Sequence, residues 1–412
     1  MRVRSVICAI GRSGYLHRDL RAIKSGAKQD GFVFHGAPLS PGFKKIVEPA
    51  SVISLMLELE DGQIAFGDCA DVILAGIAGR DEAFRAEDHV DYLRREIAPA
   101  LAGLDIMRFR DNAVKFDRYQ RGGQPLHTAV RYGITQALLH ATALALRRTM
   151  AEIIAAEYGS TISKAPIPIL ASGHKDDPLQ LDRCILKRVE LLPHASFTIV
   201  KEHVGMQGEK LLDFASQVAK RIAAIGDADY APRIHLDVYG TLGELFAMRM
   251  DPLADYLGRL MQAAQPYALL VESPIIANSQ VEQIDNLKRL RGLLSDKGIA
   301  VQIIADEWCN TLEDIKLFAD VSASDYVQIK TPDLGGINNS IEAVLYCRAK
   351  QMGSSLGGTA NETDHSARIT THIGLACTPD FMLSKPELGV DEALMIQGNE
   401  MARTLAIVAA RS

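Results

Sequence analysis

Residues 233–240 read RIHLDVYG, residues 267–274 YALLVESP and residues 299–308 IAVQIIADEW. Each is a strand-like apolar run that closes on one acid: Asp237, Glu272 and Asp306. The acids stand 35 and 34 residues apart, about one strand plus one helix. That rhythm predicts consecutive units of a (β/α)8 barrel, in which carboxylates at the C-terminal strand ends converge on one mouth. One such acid alone reads as a helix N-cap or a loop carboxylate; three at the same relative position do not. Three like charges at one mouth repel unless a cation neutralises them, and hard oxygen donors without a thiolate suit Mg2+. A fourth run, DYVQIK (325–330), ends in Lys330, 24 residues past Asp306. Period-two alternation puts Gln328 and Lys330 on one face. A lysine beside a bound cation is a candidate base. Such a base works best with a pKa of about 7 to 8, against about 10.4 for a free lysine, a gap worth roughly 4 kcal/mol. A neighbouring cation and partial burial both push in that direction.

Working outward, further apolar runs keep the same rhythm: PIPIL (166–170), SFTIVKEH (196–203), GSSLGG (353–358) and a weak DFML (380–383). Amphipathic segments lie between them, such as GEKLLDFASQVAKRIAAIG (208–226) and VEQIDNLKRLRGLLSDKG (281–298), the second ending on a C-capping Gly298. Eight runs predict a C-terminal (β/α)8 TIM-type barrel over residues 161–412. Residues 1–160 follow another pattern and predict an α+β capping domain. Val3–Ile10 is strand-like, and the start, MRVRSVICAIGRSGYLHRD, reads as a strand and a loop rather than a signal peptide. Ser51–Leu59 and Gln63–Phe66 flank Glu60-Asp61-Gly62, a hairpin signature. Residues 82–104 and 126–158 read as helices.

A net charge of −6 makes no electrostatic case for nucleic acid, and no run of 18 apolar residues predicts a membrane span. The six cysteines are scattered without a CxxC pair, as expected of reduced thiols in a cytoplasmic protein. Of the 11 histidines, His174 and His203 fall near the expected mouth. GGTANET (357–363) is a loop of small donors suited to a carboxylate. No nucleotide fingerprint, nucleophile elbow or HExxH helix is present.

Taken together, LDVYG (236–240), VESP (271–274), ADEWCNT (305–311), VQIKTPDLGGINN (327–339), GGTANET and KPELGVDE (385–392) resemble the 3-methylaspartate ammonia-lyase family of the enolase superfamily. LLPHA (191–195) and HTAVRYGITQA (127–137) extend the resemblance toward the N-terminus. It implies Asp237, Glu272 and Asp306 as Mg2+ ligands, Lys330 as the base at C3 of the threo substrate, and His194 as the second acid/base. It also implies Gln328 and Thr359 as holders of substrate carboxylates, K+ as an activator, and a homodimer. The implied reaction removes ammonia from L-threo-3-methylaspartate to give mesaconate. Loss of a proton beside a carboxylate makes an enolate, whose charge a metal ion stabilises.

The chain departs from the family's pattern in the substrate pocket. Ile73 and Ser172 stand where the family has glutamine, Ser355 where it has tyrosine, Ala360 where it has cysteine and Leu170 where it has phenylalanine. Leu383 belongs to the same expected pocket. Lost polar contacts cost roughly 1 kcal/mol each, and His174 and Lys175 are candidates for replacing them. The departures keep open a second reading, in which the enolate has another fate: a lyase, dehydratase or racemase/epimerase on another amino or hydroxy acid. A third, a binding protein without catalysis, has no use for Lys330.

Overall fold

The computed structural model describes residues 1–387 and 389–411. The N-terminal part holds an antiparallel sheet in the order β1 (Val3–Arg18), β4 (Val47–Leu59), β5 (Ile64–Cys69). A small hairpin, β2 (Lys28–Asp30) and β3 (Val33–His35), interrupts it, and a second, β6 (Gln120–Arg121) and β7 (Gln124–Pro125), follows. The expected hairpin turn forms: Leu59 N donates to Gln63 O at 2.8 Å, and Gly62 takes a φ of +84°. β1 runs past the predicted strand, through the stretch expected to be a loop, with a register shift between Arg12 and Leu16. There Ser13 Oγ donates to Asn361 O at 2.8 Å. A Cβ on Gly14 would fall 2.6 Å from Glu362 O, so only glycine lets the cap backbone pass this close to the GGTANET loop.

The predicted helix 126–158 is two, Thr128–Leu146 and Met150–Tyr158. Arg147 turns left-handed at φ +52° and Thr149 forms a capping box with Glu152, a break that periodicity does not reveal. Residues 86–101 wind continuously, with one widened turn at Leu93–Ile97 ahead of Pro99. The helix Thr128–Leu146 lies flat on the sheet because Gly133 faces β5; a Cβ there would meet Cys69 N at 2.6 Å.

Eight parallel strands close a barrel in sequence order: β8 (Ile169–Leu170), β9 (Leu191–Ser196), β10 (Arg233–Asp237), β11 (Leu269–Glu272), β12 (Val301–Ala305), β13 (Tyr326–Gln328), β14 (Gly353–Leu356) and β15 (Phe381–Leu383). Seven agree with the predicted runs. The second does not: SFTIVKEH leaves the barrel and carries a single helical turn, Val200–Val204, while LLPHAS makes the strand. Pro193 argues against a strand interior, yet the register slips one residue opposite His235, and at such a bulge a missing N–H is tolerated. The barrel interior is plugged by Leu170, Leu191, Leu270, Ile304, Phe381 and Leu383. Outer helices bury one stripe each; Glu209–Ile225 buries Leu211, Ala215, Val218, Ala219 and Ile222 at helical spacing. All six cysteines are free and buried, and no helix among the described residues is long and apolar enough to cross a membrane.

One cap contact is sensitive to acid. His140 Nδ1 accepts the Phe66 amide N–H at 3.1 Å, with the His365 ring 5.4 Å away. Burial and His365 push the His140 pKa down to about 4, against about 6.5 unfolded. The neutral ring's contribution is complete above about 6.5 and is lost as pH falls through 4. We expect the melting temperature to drop across that window, and less steeply in His140→Gln, whose amide oxygen can still accept the bond.

Candidate active site

Asp237 and Glu272 are in register at the last positions of β10 and β11, and Asp306 follows β12 directly. All three are at most 3% exposed. Gln328, the last residue of β13, donates from Nε2 to Glu272 Oε1 at 3.2 Å. Lys330, two residues further, places Nζ 2.7 Å from Asp306 Oδ2. The bulge in β9 aims His194 at the same point: its Nε2 lies 3.7 Å from Asp237 Oδ2 and 3.8 Å from Glu272 Oε2, while Nδ1 pairs with Glu387. A cavity of about 30 Å3 is walled by His194, Asp237, Glu272, Gln328, Lys330 and Thr359.

Negative charge dominates this mouth. Burial, then repulsion from Glu272, raises the Asp237 carboxyl far above its ordinary range. Burial works the same way on Glu272, but His235, His194 and Lys330 outweigh it and hold Glu272 near 2. Burial and Asp306 raise Glu307 to about 7. Burial would lower the His194 pKa, but Glu387, Glu272 and Asp237 lift it to about 10. Among the described residues, Asp306 Oδ1 is buried without a hydrogen-bond partner, Arg80 Nη2 lying 3.6 Å away, and Glu272 Oε2 faces only the His235 and His194 rings, at 2.9 and 3.8 Å. Carboxylate oxygens with so few donors in a crowded anionic mouth fit a divalent cation. His194, His235 and Glu272 also bring possible donor atoms within 4.8 Å of one another. That set is the weaker candidate: Glu387 already pairs with His194 Nδ1 and favours its protonated form, and His235 Nε2 lies 2.9 Å from Glu272 Oε2.

Lys330 departs from the expected direction. Burial lowers its pKa, but attraction to Asp306 is stronger and the ammonium is held above the ordinary lysine value. The sequence shows that the two residues share a mouth; it does not show that Asp306 would sit in direct contact with the lysine.

The pocket candidates divide. Thr359, Ala360, Ser172 and Ile73 all wall a cavity at the mouth. Leu383 and Leu170 pack into the apolar plug below. Ser355 is paired in register with Gln328, and its hydroxyl is buried without a partner. His174 and Lys175 stand at the rim, with Lys175 paired to Asp176.

Several residues that the sequence did not single out support the mouth from behind. Arg80, from a cap loop, reaches Asp333 Oδ2 at 2.7 Å and Asp306 Oδ1 at 3.6 Å. Lys385 and Glu362 form a fully buried ion pair at 3.0 Å. Glu362 Oε1 accepts from Tyr132 OH at 2.5 Å, and Oε2 from Thr359 N at 3.0 Å. Lys385 Nζ donates to Thr331 Oγ1, next to Lys330, at 2.9 Å. The pair thus ties the cap helix, the Thr359 loop and the end of β13 together. Glu362, Lys385 and Glu387 all lie inside quoted motifs, but nothing in their spacing pairs residues 23 or 193 positions apart.

A closed parallel barrel, an antiparallel cap over its mouth and acids on consecutive strand ends define a capped barrel of the enolase superfamily. The family model for the methylaspartate ammonia-lyase N-terminus matches residues 1–159, and that for the C-terminus residues 161–410. The chain belongs to the methylaspartate ammonia-lyase family. It is 48% identical to methylaspartate ammonia-lyase 2 of Carboxydothermus hydrogenoformans, over 100% of this chain and 99% of that one. The Citrobacter amalonaticus methylaspartate ammonia lyase structure containing (2S,3S)-3-methylaspartic acid superposes with a TM-score of 0.96 at 42% identity, covering 99% of this chain and 100% of that one. The Mg complex of Clostridium tetanomorphum beta-methylaspartase gives 0.93 at 44% identity, with both chains covered fully.

Removing one partner of the Lys385–Glu362 pair leaves a buried charge, at a cost of about 3–5 kcal/mol. Lys385→Met should therefore lower urea stability by about that much. The double variant Lys385→Met/Glu362→Gln should recover most of it. If the double variant is no more stable than the single one, the pair is not what holds these loops.

Proposed function

We propose that this protein is a Mg2+-dependent ammonia-lyase that converts L-threo-3-methylaspartate to mesaconate and ammonia. The observation that carries the reading is the convergence of Lys330 with three buried carboxylates at the mouth. Identities of 42–48% to whole methylaspartate ammonia-lyases support this substrate over another amino or hydroxy acid. Mg2+ held by Asp237, Glu272 and Asp306 would supply positive charge against the substrate carboxylate and against Asp306 itself.

In this reading Lys330 Nζ, unprotonated, takes the C3 proton. The C–H electron pair moves first into the adjacent carboxylate as an enolate, and then forms the C2–C3 double bond as the C2–N bond breaks and ammonia leaves. The Gln328 amide and the Thr359 hydroxyl hold carboxylate oxygens, and the buried wall excludes water. His194 is the second acid/base; Glu387 fixes its ring and favours its protonated form. A homodimer and K+ activation belong to the same reading.

Purified protein with Mg2+, K+ and L-threo-3-methylaspartate should give a Mg2+-dependent ultraviolet rise from the conjugated diacid, with stoichiometric ammonia. Lys330→Ala should cut turnover by about 10²–10⁴-fold and abolish solvent-deuterium exchange at C3, while calorimetry still shows Mg2+ binding. Glu272→Gln should weaken Mg2+ binding and turnover together. No absorbance change and no exchange in the wild type would overturn the proposal.

A further inference from the structure

The small cavity adjoins a second of about 310 Å3, and Ile73, Leu74, His194, Tyr239 and Glu387 wall both. Its barrel side stays open because Ser172 and Ala360 are small. Its cap side carries Tyr15, Arg18, Phe32 and Phe34, from β1 and the β2–β3 hairpin. Arg18 is tied directly to the shared wall, since its backbone N donates to Ile73 O at 3.0 Å. Its guanidinium sits 4.8 Å from the Phe32 ring centre and 5.6 Å from that of Tyr15. Nη2 donates to Tyr15 OH at 3.2 Å.

The charge balance of this chamber leaves Arg18 over. Lys175 is paired with Asp176, and His194 with Glu387. His203 accepts the Thr198 and Ile199 amides at 3.1 and 3.2 Å, which occupies its Nδ1. Arg18 has no carboxylate partner among the described residues, and its Nε is buried without a hydrogen bond. Nη1 makes no hydrogen bond among the described residues, so two rings hold a planar cation with its Nη1 donors unspent, on the wall of a space that shares five lining residues with the small cavity. A guanidinium in that state matches a carboxylate, by charge and by its fork of N–H groups. The chamber volume lies within the range of small-molecule sites.

We propose that the chamber is a second substrate subsite, which takes the carboxylate-ended extension of an aspartate substituted at C3, with Arg18 as its specificity-determining residue. The proposal rests on the lyase reading for the position of the reacting end. One end of the aspartate would enter the small cavity beside Lys330, the rest the inner part of the chamber by Ser172 and Ala360, and the tail the outer part beside Arg18.

Succinates lack the amino group that leaves, so they report binding without turnover. Calorimetry with Mg2+ would compare methylsuccinate, propylsuccinate and (3-carboxypropyl)succinate on the wild type, Arg18→Met and Arg18→Gln. On the wild type, the carboxypropyl probe should bind about tenfold more tightly than the propyl probe, as a charge-assisted contact implies. Both variants should lose that advantage while methylsuccinate affinity and methylaspartate turnover stay as in the wild type. Equal binding of the two longer probes overturns the proposal. So does an equal loss on all three probes in the variants, because Arg18 would then serve the fold rather than the tail. A wild type that prefers the carboxypropyl probe but does not turn over methylaspartate keeps the subsite and fails the lyase reading.

Discussion

Crowded negative charge at the barrel mouth is the constraint around which this molecule is arranged. Asp237, Glu272, Asp306, Glu307 and Asp333 are all buried at one end of the barrel. Carboxylates in such surroundings either take up protons or gather cations. Both responses are visible here. Asp237 and Glu307 are driven toward protonation, while Lys330, Arg80 and His194 are drawn against the others. The same crowding accounts for the raised Lys330 pKa, since Asp306 draws its nearest countercharge from the lysine at 2.7 Å, with Arg80 further off at 3.6 Å.

The cap completes the mouth instead of merely covering it. Arg80 reaches Asp306 and Asp333 from a cap loop, Tyr132 supports Glu362, and Ser13 holds Asn361. Gly14 permits the backbone contact between β1 and the GGTANET loop. Behind these contacts, the Lys385–Glu362 pair fixes the Thr359 backbone and the residue after Lys330. Because the pair has no solvent exposure, it is strong only while every partner remains in place. Cap, β13 end and Thr359 loop are therefore expected to hold or loosen together.

The barrel was legible in the sequence because its evidence is local. A strand buried on both faces is a short apolar run, and an acid at its end is visible beside it. The β9 strand was misplaced because LLPHAS contains a proline and SFTIVKEH does not; the bulge that makes the proline tolerable exists only against β10. The helix break at Arg147 was hidden because a left-handed residue does not disturb apolar periodicity around it. β1 ran longer than expected because its last residues are held by the barrel loop and by the strand start at Val47.

By itself, then, the sequence determined the capped barrel, the acids that share its mouth, the lysine beside them and, through its quoted motifs, the family. These are properties of residue type and spacing along one chain. Only the tertiary structure decided which charges touch. The contact of Lys330 with Asp306, the Glu387 support of His194 and the buried Lys385–Glu362 pair join residues 24, 193 and 23 positions apart. The Arg18 chamber depends on the fold as well, because an unspent donor is defined by what fails to approach it. Coulomb energy depends on distance through space and on burial, and neither is written in the spacing of residues along a chain.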